Sequence, residues 1–296
     1  MFRTTLCAVA LSAVSFVSNA VETQDVLVVF DQNTISTVND LDNSTKRLIY
    51  ANKLISDLNQ TFLNSGLANK IQFRLEDQIM SGFSTYSNGK IENLKQIWSR
   101  YQPHFQNVLE NKTSQGTLYN LQNQHNVDLV IAVMKEGTDS GLCGVAVNAP
   151  NQSFVNSNRN IVEVAESAAF GLFWISADSV CLDESTLVAH EFGHTAGLYH
   201  GNLTDGMGYY VYRSDLIRPD ATGYSNSIRG YQTIMSSYAR PNHIRNNNFS
   251  DINANDCGPH TSTQSYTYTC GDVNASSVYT LGGFYRAYNK RGDWYQ

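Results

Sequence analysis

An excess of basic charge is missing from this chain: 20 Lys and Arg stand against 26 Asp and Glu, for a formal charge of −6. No phosphate backbone would be drawn to such a surface, so nucleic acid is not an expected partner. A second long apolar run is missing too. Past the first twenty residues nothing approaches the ~20 consecutive apolar residues that cross a bilayer, so no membrane span is expected in a mature chain. The sequence contains no C-x-x-C pair, which argues against a cysteine-held metal. Nor does it contain an internal repeat, a low-complexity tract or a linker. With 42% hydrophobic and 11% aromatic residues there is ample material for a large core, and residues 21–296 are expected to form a single domain.

The first twenty residues have the layout of an export signal: Arg3 in a short basic start, an apolar run from Leu6 to Val17, and Ser18-Asn19-Ala20 as a small-residue cleavage site. Cleavage after Ala20 removes Arg3 and Cys7 and no acidic residue, making the chain still more negative. Four cysteines remain, Cys143, Cys181, Cys257 and Cys270. An even number in an exported chain points to two disulfides. Of the three possible pairings the sequential one is expected, Cys143 with Cys181 and Cys257 with Cys270, and the chain-entropy model credits these with roughly 4 and 3 kcal/mol.

The apolar pattern alternates between strand and helix. Val26–Phe30 is a β-branched run of the kind found in a buried central strand. From Ser44 to Leu63 the residues Leu48, Ala51, Ile55, Leu58 and Phe62 recur at helical spacing, and Gly66 follows as a stop. Lys70–Leu75 reads as a second strand, residues 81–89 as a turn region, and Ile91 to about Tyr101 as a further helix. Asp128–Met134 is the strongest strand and is placed beside the first. Cys143–Val147 and Phe170–Ile175 follow as strands, and Val278–Tyr288 as a last helix. This order predicts an α/β fold, a sheet covered by helices. Beyond His200 the composition turns to Gly, Tyr, Asn and Ser, so a less regular lower part is expected from residue 198 to the end, below an upper part reaching to about residue 197.

The chemistry lies in His190-Glu191-Phe192-Gly193-His194-Thr195-Ala196-Gly197-Leu198-Tyr199-His200, which carries the pattern H-E-x-x-H-x-x-G-x-x-H. Helical positions four apart are turned by about 40° and separated by about 6 Å, so His190 and His194 can aim at one ion. In a continuous helix His200 would face away, about 240° around from His194. Gly197 can end the helix in the left-handed conformation and let His200 return. Three neutral imidazoles are the ligand set of a catalytic zinc, whose fourth position takes water. Glu191, about 100° around from His190, is placed to act as general base toward that water without ligating the metal. Asp183 is expected to cap this helix, with Glu184 favourably placed near its positive end.

This pattern resembles that of the metzincin zinc endopeptidases. Thr233-Ile234-Met235-Ser236-Ser237-Tyr238 is similar to their Met-turn, which implies Met235 beneath the metal. Cys143-Gly144-Val145-Ala146, then Cys181 and the histidine helix, is similar to reprolysin-like and peptidyl-aspartate metalloendopeptidase-like bacterial proteins. The resemblance covers roughly Asp25 to Tyr288. It implies a twisted mixed sheet with an antiparallel edge strand, two long helices and a lower subdomain holding the Met-turn. It also implies one catalytic Zn2+, and a substrate peptide extended along Gly144, Val145 and Ala146. Reprolysins usually carry aspartate after the third histidine, where this chain has Gly201. Tyr238 lies one residue later than the tyrosine that approaches the metal in astacin-like relatives, and an oxyanion or zinc-neighbour role for it is an expectation. The function implied is a secreted, monomeric endopeptidase acting on proteins or peptides outside the cell or in a periplasm. The alternative is a noncatalytic secreted zinc-binding protein that retains the fold for adhesion or host interaction.

Overall fold

The computed structural model describes residues 21–83, 85–86, 90–91, 114–135, 142–146, 171–201, 221–226, 231–236, 244–254, 257, 269–271 and 275–288. The export-signal reading of residues 1–20 and the Tyr238 expectation therefore lie outside the described residues.

A five-stranded sheet forms the frame. Its strands are β1 (Glu22–Asp31), β2 (Ile71–Ser81), β5 (Leu129–Met134), β6 (Gly144–Ala146) and β7 (Leu172–Ser176), in the spatial order β2-β1-β5-β7-β6. The first four run parallel and β6 is antiparallel to β7. Short strand β3 (Thr85–Tyr86), inside the expected turn region, pairs with β4 (Lys90–Ile91), which begins just past it. Ile91 is thus in a strand, where the sequence pattern had suggested the start of a helix.

Parallel strands buried on both sides need helices above and below. Val26, Val28, Phe30, Ile131, Val133, Phe173 and Ile175 point into one core. There they meet α1 (Ser44–Asn64) and α4 (Leu187–Thr195), the histidine helix. Leu27, Val29, Val130, Ala132, Met134 and Trp174 fill the opposite face with Leu118 of α2 (Ser114–His125). The sequence pattern missed α2, whose Gln- and Asn-rich run offers only Leu118, Tyr119 and Leu121 as hydrophobic residues. A one-turn helix α3 (Ser179–Leu182) and a late helix α5 (Ser277–Tyr288) complete the α-helices among the described residues. None is long and apolar enough to cross a membrane.

Helix α1 begins where Asn43 Oδ1 accepts the Lys46 N–H at 3.0 Å, and it ends just before Gly66 at φ +69°. Leu48, counted among the expected core positions, is 46% exposed; Tyr50 and Leu54 share the buried face with Ala51, Ile55, Leu58 and Phe62. Asn59 closes the outer edge of β2: its Nδ2–H donates to the Phe73 carbonyl and its Oδ1 accepts the Phe73 N–H, both at 2.8 Å. An edge strand is thereby denied as a template at that point. Asn59→Ala strands both groups and is expected to cost about 1–2 kcal/mol in urea unfolding.

The lower part is sparse in regular structure, as its composition suggests. Two-residue strands β8 (Ser225–Asn226), β9 (Tyr231–Gln232) and β10 (Ile244–Arg245) form a small sheet. Cysteines pair sequentially: Cys143–Cys181 ties the start of β6 to α3, and Cys257–Cys270 packs against Tyr231.

Candidate metal centre

Helix α4 carries two of the three histidines and starts at Leu187 after Thr186, with no side chain capping it. Asp183, expected to cap it, instead ends α3, because residues 183–186 form an intervening turn that gives the histidine helix a later start. Glu184 acts on Thr186, accepting its hydroxyl at 3.0 Å.

The helix stops as the motif requires. Gly197 has φ +83°; its N–H donates to the His194 carbonyl at 3.0 Å, and the Leu198 N–H donates to the Gly193 carbonyl at 2.8 Å. These two bonds make a Schellman ending. The chain then reverses, the Tyr199 N–H donates to the Ala221 carbonyl at 2.9 Å, and His200 comes back toward the helix.

All three histidines arrive at one point. The Nε2 atoms of His190 and His194 lie 2.9 and 3.1 Å from His200 Nε2. The ligand atoms of the three all fall within 4.8 Å of one another. Behind two of the rings the proton positions are fixed by carbonyls, which only accept. His190 Nδ1–H donates to the Ile234 carbonyl and His194 Nδ1–H to the Leu198 carbonyl, each at 2.9 Å. Both rings therefore hold the tautomer whose Nε2 lone pair faces the convergence point. Burial, reinforced by the neighbouring His200 and opposed by the Leu198 carbonyl, pushes the His194 pKa down to about 3. The ring is neutral at physiological pH, as a metal ligand must be.

Zinc fits this donor set. Bonds of about 2.0–2.1 Å at tetrahedral angles place ligand nitrogens roughly 3.3 Å apart, close to the spacing of the two His200 pairs. Lone pairs converging in this way without hydrogens between them would repel, and a cation removes the conflict.

Met235 is fully buried directly under the helix. A Cβ built on Gly193 would run into the Met235 sulfur and stand 3.2 Å from its Cε. The motif's second unspecified position is therefore a glycine for a packing reason. Gly201 and Gly223 bring three chain segments together in the same region. The Gly201 N–H donates to the Met235 carbonyl at 2.7 Å, and a Cβ on Gly201 would stand 2.7 Å from the Gly223 carbonyl oxygen. No aspartate fits at residue 201, which accounts for the departure from the reprolysin pattern. The hydroxyls of Ser250 and Ser277 both donate to the Thr222 carbonyl, at 2.6 and 2.9 Å, and anchor the middle segment. No local pattern announces the pairing of these two serines, which stand 27 residues apart.

Glu191, 4% exposed, lies with its carboxylate against Gly144 of β6. The antiparallel ladder sets the directions of that strand. The Cys143 carbonyl accepts the Ser176 N–H at 2.7 Å and so points at β7, and by alternation the N–H and C=O of Gly144 and Ala146 point away from it. Among the described residues β6 is the outer strand on this side.

Comparison with known proteins agrees with this geometry. No curated protein gives a significant match. A solved structure described as a chaperone–substrate complex superimposes with a TM-score of 0.53 at 17% identity, covering 91% of this chain and 35% of the other. The chain thus spans about a third of that protein's length, and the likeness is one of fold. The family model for metallopeptidase family M12 matches residues 21–250. That stretch takes in the sheet, the three histidines and Met235, and the chain belongs to metallopeptidase family M12.

Proposed function

We propose that this chain is a secreted zinc-dependent endopeptidase with one catalytic zinc ion held by His190, His194 and His200 and with Glu191 as its general base. The observation carrying the reading is the convergence of three Nε2 atoms beside a buried glutamate on the same helix. Membership of family M12 supports peptide-bond hydrolysis, and the two disulfides are compatible with an extracellular or periplasmic site of action.

Zinc bound there would supply Lewis acidity, polarising a carbonyl oxygen and lowering the pKa of water. The protein's own groups do the rest. His190 and His194, oriented by the Ile234 and Leu198 carbonyls, keep their Nε2 lone pairs directed inward. The Glu191 carboxylate accepts the proton of the attacking water and returns it to the departing amine nitrogen. The outward N–H and C=O groups of Gly144 and Ala146, with Val145 between them, hold an extended substrate by strand addition. Met235, packed on Gly193 between the two helical ligands, keeps the floor of the site fixed.

The test is cleavage of an unfolded protein and of a mixed peptide library by the purified chain. Hydrolysis abolished by a chelator and by Glu191→Ala supports the reading. Zinc binding without hydrolysis of any library member would favour a noncatalytic zinc-binding adhesion or host-interaction protein instead.

A further inference from the structure

Gly144 has no conformational need to be glycine. Its φ is not among the positive values of the described residues, which belong to Gly66, Gly171, Gly197 and Asn126. The requirement is one of space. A Cβ built at residue 144 would stand 2.6 Å from both Cγ and Cδ of Glu191 and closer still to Oε1. Carbon atoms in contact keep roughly 3.5–4.0 Å, so an alanine here would overlap the glutamate along its length and not at its tip alone. Glu191 has little room to yield, being 4% exposed. The facing strand is held as well. Cys143, the preceding residue, is bonded to Cys181, and its carbonyl accepts the Ser176 N–H at 2.7 Å.

We infer that Gly144 is a positioning residue for the general base: the bare Cα of the edge strand is the seat that fixes the Glu191 carboxylate, and the Cys143–Cys181 bridge to α3 restrains the strand that carries this seat. The inference rests on the proposed peptidase reading for its kinetic consequence and on the packing alone for its structural one. Because the outward backbone groups of the same glycine lie on the proposed substrate edge, seating the base and seating the substrate become functions of one residue.

Two measurements test it. In peptide hydrolysis, Gly144→Ala is expected to lower kcat about 10- to 100-fold through misplacement of the base, with KM changed less than about 3-fold and one zinc still bound. In thermal unfolding, Gly144→Ala should lower the midpoint when residue 191 is glutamate and leave it unchanged in a Glu191→Ala background, where nothing occupies the space. Val145→Ala, on the opposite face of the strand, should cost the same in both backgrounds. If Gly144→Ala fails to fold alone but folds together with Glu191→Ala, the contact is established equally well. A kcat within 2-fold of the parent, or an equal loss of midpoint in both backgrounds, overturns the inference. The unfolding comparison needs no activity, so failure of the peptidase reading and failure of this one would be seen separately.

Discussion

Glu191→Gln is expected to lower kcat/KM for peptide hydrolysis by about 10² to 10⁴, the range that a positioned general base contributes, while zinc content and unfolding midpoint stay near those of the parent. Glutamine has the shape of glutamate and fills the same space against Gly144, so packing around the buried side chain is kept. What it lacks is the proton affinity to accept from water. The three imidazoles are untouched, and their orienting carbonyls at Ile234 and Leu198 are backbone groups that the substitution does not alter. Initial rates on a quenched fluorescent peptide, with metal analysis of the same samples, check this. A variant keeping a tenth or more of the parent rate would remove Glu191 from the role of base.

Phe62→Ala is expected to have the largest effect on stability, about 3–5 kcal/mol, typical of truncating a fully enclosed phenylalanine. The ring sits edge-on to three others, Phe73 at 4.9 Å, Phe192 at 5.6 Å and Phe249 at 5.7 Å between centroids. These belong to β2, to the histidine helix and to the lower part of the chain. Phe192 is one of the unspecified positions of the histidine motif, and through it helix α1 supports the back of the metal centre. The loss should therefore appear twice: as a fall in melting temperature on the order of 10 °C, and as weaker zinc retention in competition with a chromophoric chelator. Phe62→Leu, which keeps most of the volume, should lose less than half as much on both measures.

Much of this was legible in the sequence wherever a local pattern had a single physical solution. The run Val26–Phe30 is too apolar and β-branched for anything but an inner strand, and β1 lies there, flanked by β2 and β5. Gly197 between His194 and His200 could serve only to reverse the chain, and it has the positive φ that a reversal needs. Readings failed where the deciding partner was distant or where local signals were nearly balanced. Leu48 fits the helical spacing but falls just outside the face that meets the sheet, because that face is set by how α1 crosses β2. Asp183 is a good capping residue that the chain spends on ending α3. Helix α2 escaped notice because Leu118 faces a core built by other segments. The requirement at Gly144, Gly193, Gly201 and Gly223 was out of reach for the same reason: each is glycine because a group far away in sequence lies where its Cβ would be.

The most direct test of the metal centre is a zinc titration of chelator-stripped protein, following peptide cleavage and bound metal together. Cleavage should be absent from the stripped protein, return in proportion to added zinc and level off at one equivalent per chain, whereas His200→Ala should neither hold the ion nor recover activity. Undiminished cleavage by fully stripped protein, or full activity and zinc binding in His200→Ala, would contradict the assignment of His190, His194 and His200 to a single catalytic zinc.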